Sequence, residues 1–591
     1  MQYEIRYGVR RIMDIKAKIS CWDVLGYLLI GISVITLGKS FALCFSNDIW
    51  YDELFTVGMI EHSYGDLIAF TARDVHPPLY YCIVKFVVEL CKLKVPTANT
   101  VAVAKVVSVL PYFILLLYSV TFIRKRFGIF TGGLFLFCTI AMPQLSAYTV
   151  EVRMYSWALL FVTATFLHAY GIVTEDADDV LCKPNGGKCD VMDREMVHDR
   201  NHNHKVSYKK RLHVAALVLY GLAAAYTQYF ACVAVIMVYL YVLMVFLLRD
   251  WGRVKQWLLW VLLSIVGYAP WIYTLYGQIT AVNENYWILP LSWRSLGGCV
   301  KFLMKPAFAN DVLNTVLAVV LFAVYICVLI WNVVKLCHNR RENDNRRANA
   351  TKQLDDFIFM AAGIGVLTGL VLFGFVASAI LRPIFVYRYM IPALGCFWLS
   401  FAVGVSKLSE NAAIQPTTFF LSAKRKIITA TIHADRICKG IMAAVFVLVL
   451  FIGLRDYRAF MGEEEYKILH MKETMAALDE IGAGDILIYN FDQVQMVTGY
   501  YIDNDSYLWY GQPETLIQDI CGHKGTLNED IAQIKDWISQ GRNVWFVGSF
   551  NSRDDIVEAW NDEGLHAELI WMSGYLLERY WFNLYQLSIA G

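Results

Sequence analysis

From Cys21 to Leu454 the chain is a succession of apolar runs, most of them roughly 17–25 residues long, the length at which a helix crosses about 30 Å of hydrocarbon. Inside a bilayer the backbone must satisfy its own hydrogen bonds, so each run is predicted to be a helix. One globular core could not absorb this much apolar side chain, because 57% of the 591 residues are hydrophobic and the mean hydropathy is +0.45. Eleven crossings are predicted, at about 22–45, 101–123, 129–146, 155–173, 212–228, 230–248, 256–275, 312–337, 357–380, 386–406 and 438–454. The expected fold class is a mainly α, polytopic membrane protein.

The near-neutral net charge of +1 conceals an asymmetry. Residues 461–591 hold 22 Asp and Glu against 7 Lys and Arg, which leaves about +16 on residues 1–460. The chain is therefore read as a transmembrane module over 1–460 and a soluble domain over 461–591 facing a different environment. Arg6, Arg10, Arg11, Lys16 and Lys18 precede the first apolar run, no small-residue cleavage site follows it, and the N-terminus is expected to be uncleaved and cytoplasmic. Eleven crossings then put Arg124 to Arg126, Arg249 to Lys255, Arg340 to Lys352 and Lys407 to Lys439 inside, and the C-terminal domain outside. Residues 79–94 would invert that pattern if they crossed. They are read as an interfacial or re-entrant helix with Lys85 and Glu89 at the water boundary, inside one large outer loop, 46–100.

Beyond residue 460 helical and strand-like patterns alternate. Helices are predicted near 464–481, 526–540 and 553–563, with strands at 486–490, 543–547, 567–571 and 581–587, a small α/β layer with a partly parallel sheet. It carries no glycine-rich phosphate loop. The cytoplasmic loop 174–211 has Cys182, Cys189, His198, His202 and His204 at spacings that match no established zinc pattern, and no disulfide framework is expected from the 14 cysteines.

Three groups of polar residues stand out against the apolar background. Asp52 and Glu53 directly follow the first helix, where a bilayer penalises charge, among Trp50, Tyr51 and Phe55. A carboxylate there can accept the proton of an acceptor hydroxyl, or simply cap an interfacial turn. Asp74 and His76 lead into Pro77-Pro78, where they can bind substrate or, with Glu53, a divalent ion; the prolines by themselves stop one segment and start the next. Arg153, Arg382 and Arg388, with Lys105 near the same level, place cations on the outer face against the usual bias. Snorkelling to headgroups is one reading, and a grip on a lipid-linked phosphate is the other. Tyr226, Tyr229, Tyr286, Trp287 and Trp293 crowd that face as an aromatic belt, some of them placed to stack on sugar rings.

In this order, Asp52-Glu53, the run His76 to Tyr81, Arg153 with Tyr155, and Arg388 with Tyr389 resemble the motifs of the protein O-mannosyltransferase and aminoarabinose-transferase superfamily, membrane glycosyltransferases of the C-type fold. The resemblance covers about 20–455. It implies an inverting transfer in which Asp52 is the base or the acceptor-orienting group. The donor it implies is a sugar on a polyprenyl phosphate, with Lys105, Arg153 and Arg388 as phosphate contacts. The Glu-Lys pair of aminoarabinose transferases is missing, His76-Pro77 standing in its place, so neither that sugar nor its zinc site is carried over. Membrane lipids and a glycan, lipid or protein acceptor are the expected partners, and nucleic acid is not. Two other readings stay open, a flippase for lipid-linked saccharides and a non-catalytic envelope scaffold, although no internal repeat of the transporter kind is visible.

Overall fold

The computed structural model describes residues 20–589 apart from 47–48, 182–194, 282–287, 289, 343–346, 409–433, 511–515, 522–524, 551 and 573–581; at 175–181, 195–208, 281, 335–342, 347–352, 434–438 and 517–518 only the backbone is described. The expectations for the His and Cys residues of the 174–211 loop, and for Tyr286 and Trp287, fall outside the described residues and side chains.

Among the described residues fifteen helices longer than one turn run from the first apolar segment to the sheet domain, with the four-residue Arg124–Phe127 between the fifth and sixth: α1 Cys21–Leu43, α2 Tyr51–Glu61, α3 Tyr64–Arg73, α4 Leu79–Lys94, α5 Thr100–Tyr118, α6 Ile129–Ala141, α7 Tyr155–Leu181, α8 Glu195–Ala225, α9 Tyr229–Arg249, α10 Val254–Ala281, α11 Arg294–Met304, α12 Asp311–Glu342, α13 Arg347–Ile380, α14 Ile391–Ser406 and α15 Ala434–Leu478. Among the described residues nine of these segments are long and apolar enough to cross a bilayer, which makes this a multi-pass membrane protein. The other two expected crossings fall on α6, 13 residues long, and on the C-terminal part of α8. The buried centre is α14, every residue of which is enclosed. α1 and α6 pack backbone to backbone because Gly26 and Gly133 meet there; a Cβ on Gly26 would stand 2.6 Å from the Phe130 nitrogen.

The segment 79–94 forms the amphipathic helix α4. It buries Tyr80, Tyr81, Val84 and Val88 and exposes Phe86, Leu90 and Leu93, and at 16 residues it is short for a crossing. Glu89 is exposed. Lys85 is buried, and its ammonium donates to the Ile60 carbonyl at 3.0 Å while pairing with Glu89 at 2.8 Å.

α15 runs without a break through residue 460 into the sheet domain, where a six-stranded sheet forms from β1 Ile486–Tyr489, β2 Asp505–Leu508, β3 Gly525–Thr526, β4 Val544–Ser549, β5 Leu565–Met572 and β6 Phe582–Ile589. The order is β3-β2-β1-β4-β6-β5, parallel from β3 to β4 and antiparallel at β6 and β5. β1 and β4 are buried at every position, as central parallel strands covered on both faces must be. The covering helices are α16 Asp492–Tyr501, α17 Leu516–Cys521, α18 Ile531–Ser539 and α19 Ser552–Asp562. The partly parallel sheet was legible in the sequence; β2, β3, α16 and α17 were not, being short and rich in Asp, Asn and Gly or flanked by them.

The loop 46–100 and the sheet domain share one end of the bundle. At the other end Asp355 and Asp356 of α13 are buried among cations: Arg249 pairs with Asp355, Lys407 lies 2.9 Å from Asp356, and Tyr170 donates to Asp356 at 2.6 Å.

Candidate active site

The site begins at the first turn of α2. Glu53 is only 5% exposed, and its carboxylate accepts from the backbone N–H of Val152 at 2.8 Å and of Trp50 at 3.3 Å. One buried side chain thereby ties the start of α2 to the Val152-Arg153 turn that precedes α7. Its neighbour Asp52 faces two guanidinium groups. Arg388 Nη1 is 3.2 Å from Asp52 Oδ2, and Arg153 Nη2 is 4.0 Å from the same oxygen, while Arg153 Nη1 donates to the Asp52 carbonyl at 3.0 Å. Residues 52, 153 and 388, spread over more than half the chain, converge on one carboxylate.

Arg153 is almost wholly buried. Burial works against its charge, but Asp52 leads the neighbours that outweigh it, and its pKa is raised above the ordinary arginine value. Asp74 and His76 form a second pair, the imidazole Nδ1–H donating to Asp74 Oδ2 at 2.8 Å. Burial pushes the Asp74 carboxyl up, but His76, by charge and hydrogen bond, and Arg153 more than offset it, so Asp74 sits below its usual value. Tyr155 is buried beside these cations, its hydroxyl without a hydrogen-bond partner among the described residues. Lys105, also buried, donates to Ser46 Oγ at 3.3 Å, at the beginning of the loop.

A cavity of about 380 Å³ abuts this cluster. Its polar lining includes His76, Arg382 and Tyr389, and the rest is mostly apolar, from α9, α10 and α13. Asp52 does not line it; the link is through Asp74, which holds His76, and Arg388, which precedes Tyr389. Tyr389 stacks on Phe230 with ring centres 4.8 Å apart. Sequence reading missed three residues here. Gln228 is 3% exposed on the cavity wall, with both amide atoms unpartnered among the described residues. Tyr268 likewise turns a buried, unpartnered hydroxyl to the same wall. Gln278 braces the approach by donating to the Thr71 carbonyl at 2.8 Å and accepting from Tyr229. A Gln between two apolar helices, as in Thr227-Gln228-Tyr229, was the available signal.

The described residues do not bring together the donors for a metal ion. Glu53 turns to backbone amides and His76 to Asp74, and no cluster of three His, Cys, Asp or Glu side chains forms among them.

The sheet domain packs directly on the helix that carries Asp52. Tyr501 of α16 accepts from the Ile49 N–H at 3.0 Å, His62 donates to the Ile520 carbonyl at 2.7 Å, and Arg73 pairs with Asp519 at 2.7 Å. Tyr51 packs against the sheet-domain core.

No family model and no curated protein sequence matches the chain. Among solved structures, the crystal structure of ArnT from Cupriavidus metallidurans bound to undecaprenyl phosphate superposes on 95% of this chain and 97% of its own, with a TM-score of 0.51 and 12% sequence identity. That likeness is one of fold, the C-type glycosyltransferase architecture. The archaeal oligosaccharyltransferase AglB from Archaeoglobus fulgidus, in complex with an inhibitory peptide and a dolichol-phosphate, aligns over 88% of this chain and 69% of its own at a TM-score of 0.37 and 10% identity, too distant to add to the argument.

Proposed function

We propose that this chain is a membrane glycosyltransferase that takes a sugar from a polyprenyl-phosphate carrier and passes it, with inversion, to an acceptor at the extracytoplasmic face. The single observation that carries the reading is the Asp52 carboxylate set between the Arg388 and Arg153 guanidinium groups. Transfer from a sugar phosphate needs a base for the acceptor hydroxyl and cations for the departing phosphate, and this cluster supplies both. Asp52 takes the proton as the acceptor oxygen attacks the anomeric carbon from the face opposite the phosphate. The bond from that carbon to the phosphate oxygen breaks, and the charge left on the phosphate falls to Arg388 and Arg153, with Arg382 and His76 reaching it from the cavity wall. The apolar remainder of the cavity suits the first isoprene units of the carrier. Glu53 serves as a positioning residue, since its oxygens are committed to backbone amides.

Orientation follows from charge. The end holding Arg126, Arg249 and Lys407 is assigned to the cytoplasm, which puts the site and the sheet domain outside. That ArnT binds undecaprenyl phosphate in the same fold supports the donor class and says nothing of the sugar or the acceptor.

Purified protein in nanodiscs, given radiolabelled polyprenyl-phosphate sugar, is expected to release or transfer the label, and Asp52→Asn is expected to lose about 100-fold or more of the rate while staying folded. Movement of intact carrier across the bilayer without cleavage would replace this reading with a flippase. Neither cleavage nor movement would leave a scaffold.

A further inference from the structure

A second groove, away from the Asp52 cluster, lies between α1 and α15. Two connected hollows of about 650 and 530 Å³ share Lys39, Met461 and Glu465. The upper hollow ends at Phe45 and Ser46, and the lower is lined by Ile32, Ile35 and Leu454, with Arg458 beside Lys39. The two helices are fastened at this level by Tyr457, whose hydroxyl donates to the Thr36 carbonyl at 2.6 Å and lies 3.2 Å from Ser40 Oγ. The groove is therefore a fixed feature of the fold.

Its chemistry is ordered along its length. Ile35 and Leu454, both exposed, come first along α1 and α15 towards the sheet domain; the cations follow, Lys39 one turn after Ile35 and Arg458 one turn after Leu454. Glu465 comes two turns later on α15. All three charged side chains are exposed, and among the described residues none has a hydrogen bond or ion pair. Snorkelling accounts for a single basic side chain at a helix end. It does not account for two unpaired cations converging on one prebuilt groove with a carboxylate that pairs with neither.

We propose that this groove binds one phospholipid with a phosphoethanolamine head. Lys39 and Arg458 hold its phosphate, Glu465 takes its primary ammonium, and its acyl chain follows Ile35 and Leu454 into the bilayer. The sequence of apolar surface, cation and carboxylate is that of acyl chain, phosphate and ammonium in such a lipid. Phosphatidylglycerol lacks the ammonium, and the quaternary head of phosphatidylcholine has no N–H to donate to Glu465. The site stands whether or not the chain transfers sugar.

The test is lipid retention by the full-length protein. Delipidated in mild detergent and offered phosphatidylethanolamine, phosphatidylglycerol and phosphatidylcholine of identical acyl chains in equal amounts, it is expected in native mass spectrometry to keep one phosphatidylethanolamine about tenfold over either competitor. The Lys39→Gln/Arg458→Gln double variant is expected to lose that adduct. Glu465→Gln, an exposed and conservative change, is expected to bring phosphatidylethanolamine down to the level of phosphatidylcholine, and Lys39→Arg/Arg458→Lys, which keeps the charges, to retain it. Equal retention of the three lipids by the wild type overturns the proposal, as does preference for phosphatidylglycerol or a Glu465→Gln protein with unchanged selectivity.

Discussion

Two adjacent carboxylates in the same turn have different work because their surroundings differ. Glu53 is buried and satisfied by two backbone amides, whereas Asp52 is 22% exposed at the side chain and faces guanidinium groups. Sequence could single out the pair, as charge where a bilayer penalises it, but could not divide the labour, because the amide that claims Glu53 belongs to Val152, 99 residues away. Glu53→Ala is expected to cost about 1–3 kcal/mol by leaving the Val152 and Trp50 N–H groups without their acceptor. Glu53→Gln, which keeps one carbonyl oxygen, is expected to cost less. Thermal unfolding in detergent measures both, and an unchanged midpoint for Glu53→Ala would mean that the tether contributes nothing. Asp74 and His76 stood out in the sequence as candidate ligands for substrate or metal, and the structure bonds them to each other across two residues of separation.

Among elements, α17 of the sheet domain packs against α2, the helix that carries Asp52. The exposed Arg73–Asp519 pair, between α3 and α17, adds little, about 1 kcal/mol at most. Packing weighs more. A Cβ on Gly58 would stand 2.7 Å from Cys521 Sγ and 2.9 Å from Ile520 Cγ2, so Gly58→Ala forces α2 and α17 apart at an expected cost of about 1–3 kcal/mol. Because α2 carries Asp52, turnover is expected to fall as well. Gly65→Ala, whose nearest neighbour is 3.7 Å away, is the control and should leave turnover unchanged. Equal activity in the two variants would show that the seam does not position Asp52. In the sequence Cys521 is the lone cysteine of residues 461–591 and Gly58 one glycine of the outer loop 46–100, and periodicity holds nothing that joins them. On this geometry the sheet domain buttresses α2, the helix that carries Asp52.

For the whole molecule, the orientation assigned from charge is directly testable. A cysteine introduced at Gly65 is expected to react with a membrane-impermeant maleimide on intact cells above the background of the native cysteines, and one at Lys125 only after permeabilisation; the reverse pattern would put the site in the cytosol and end the transferase reading. Much of the architecture was already present in the chain as text. Apolar runs of bilayer length predict helices because hydrocarbon offers the backbone no other partner, and a parallel sheet follows from strands alternating with helices. Those are local or one-dimensional constraints, and a sequence carries them openly. The meeting of Asp52 with Arg153 and Arg388, the commitment of Glu53 to Val152, the amide of Gln228 on the cavity wall, unpartnered among the described residues, and the seating of α16 and α17 against α2 were decided only in three dimensions. Each depends on which helices become neighbours, and that is settled by side-chain packing across hundreds of residues, as at Gly26 and Gly133, which hydropathy and spacing do not encode.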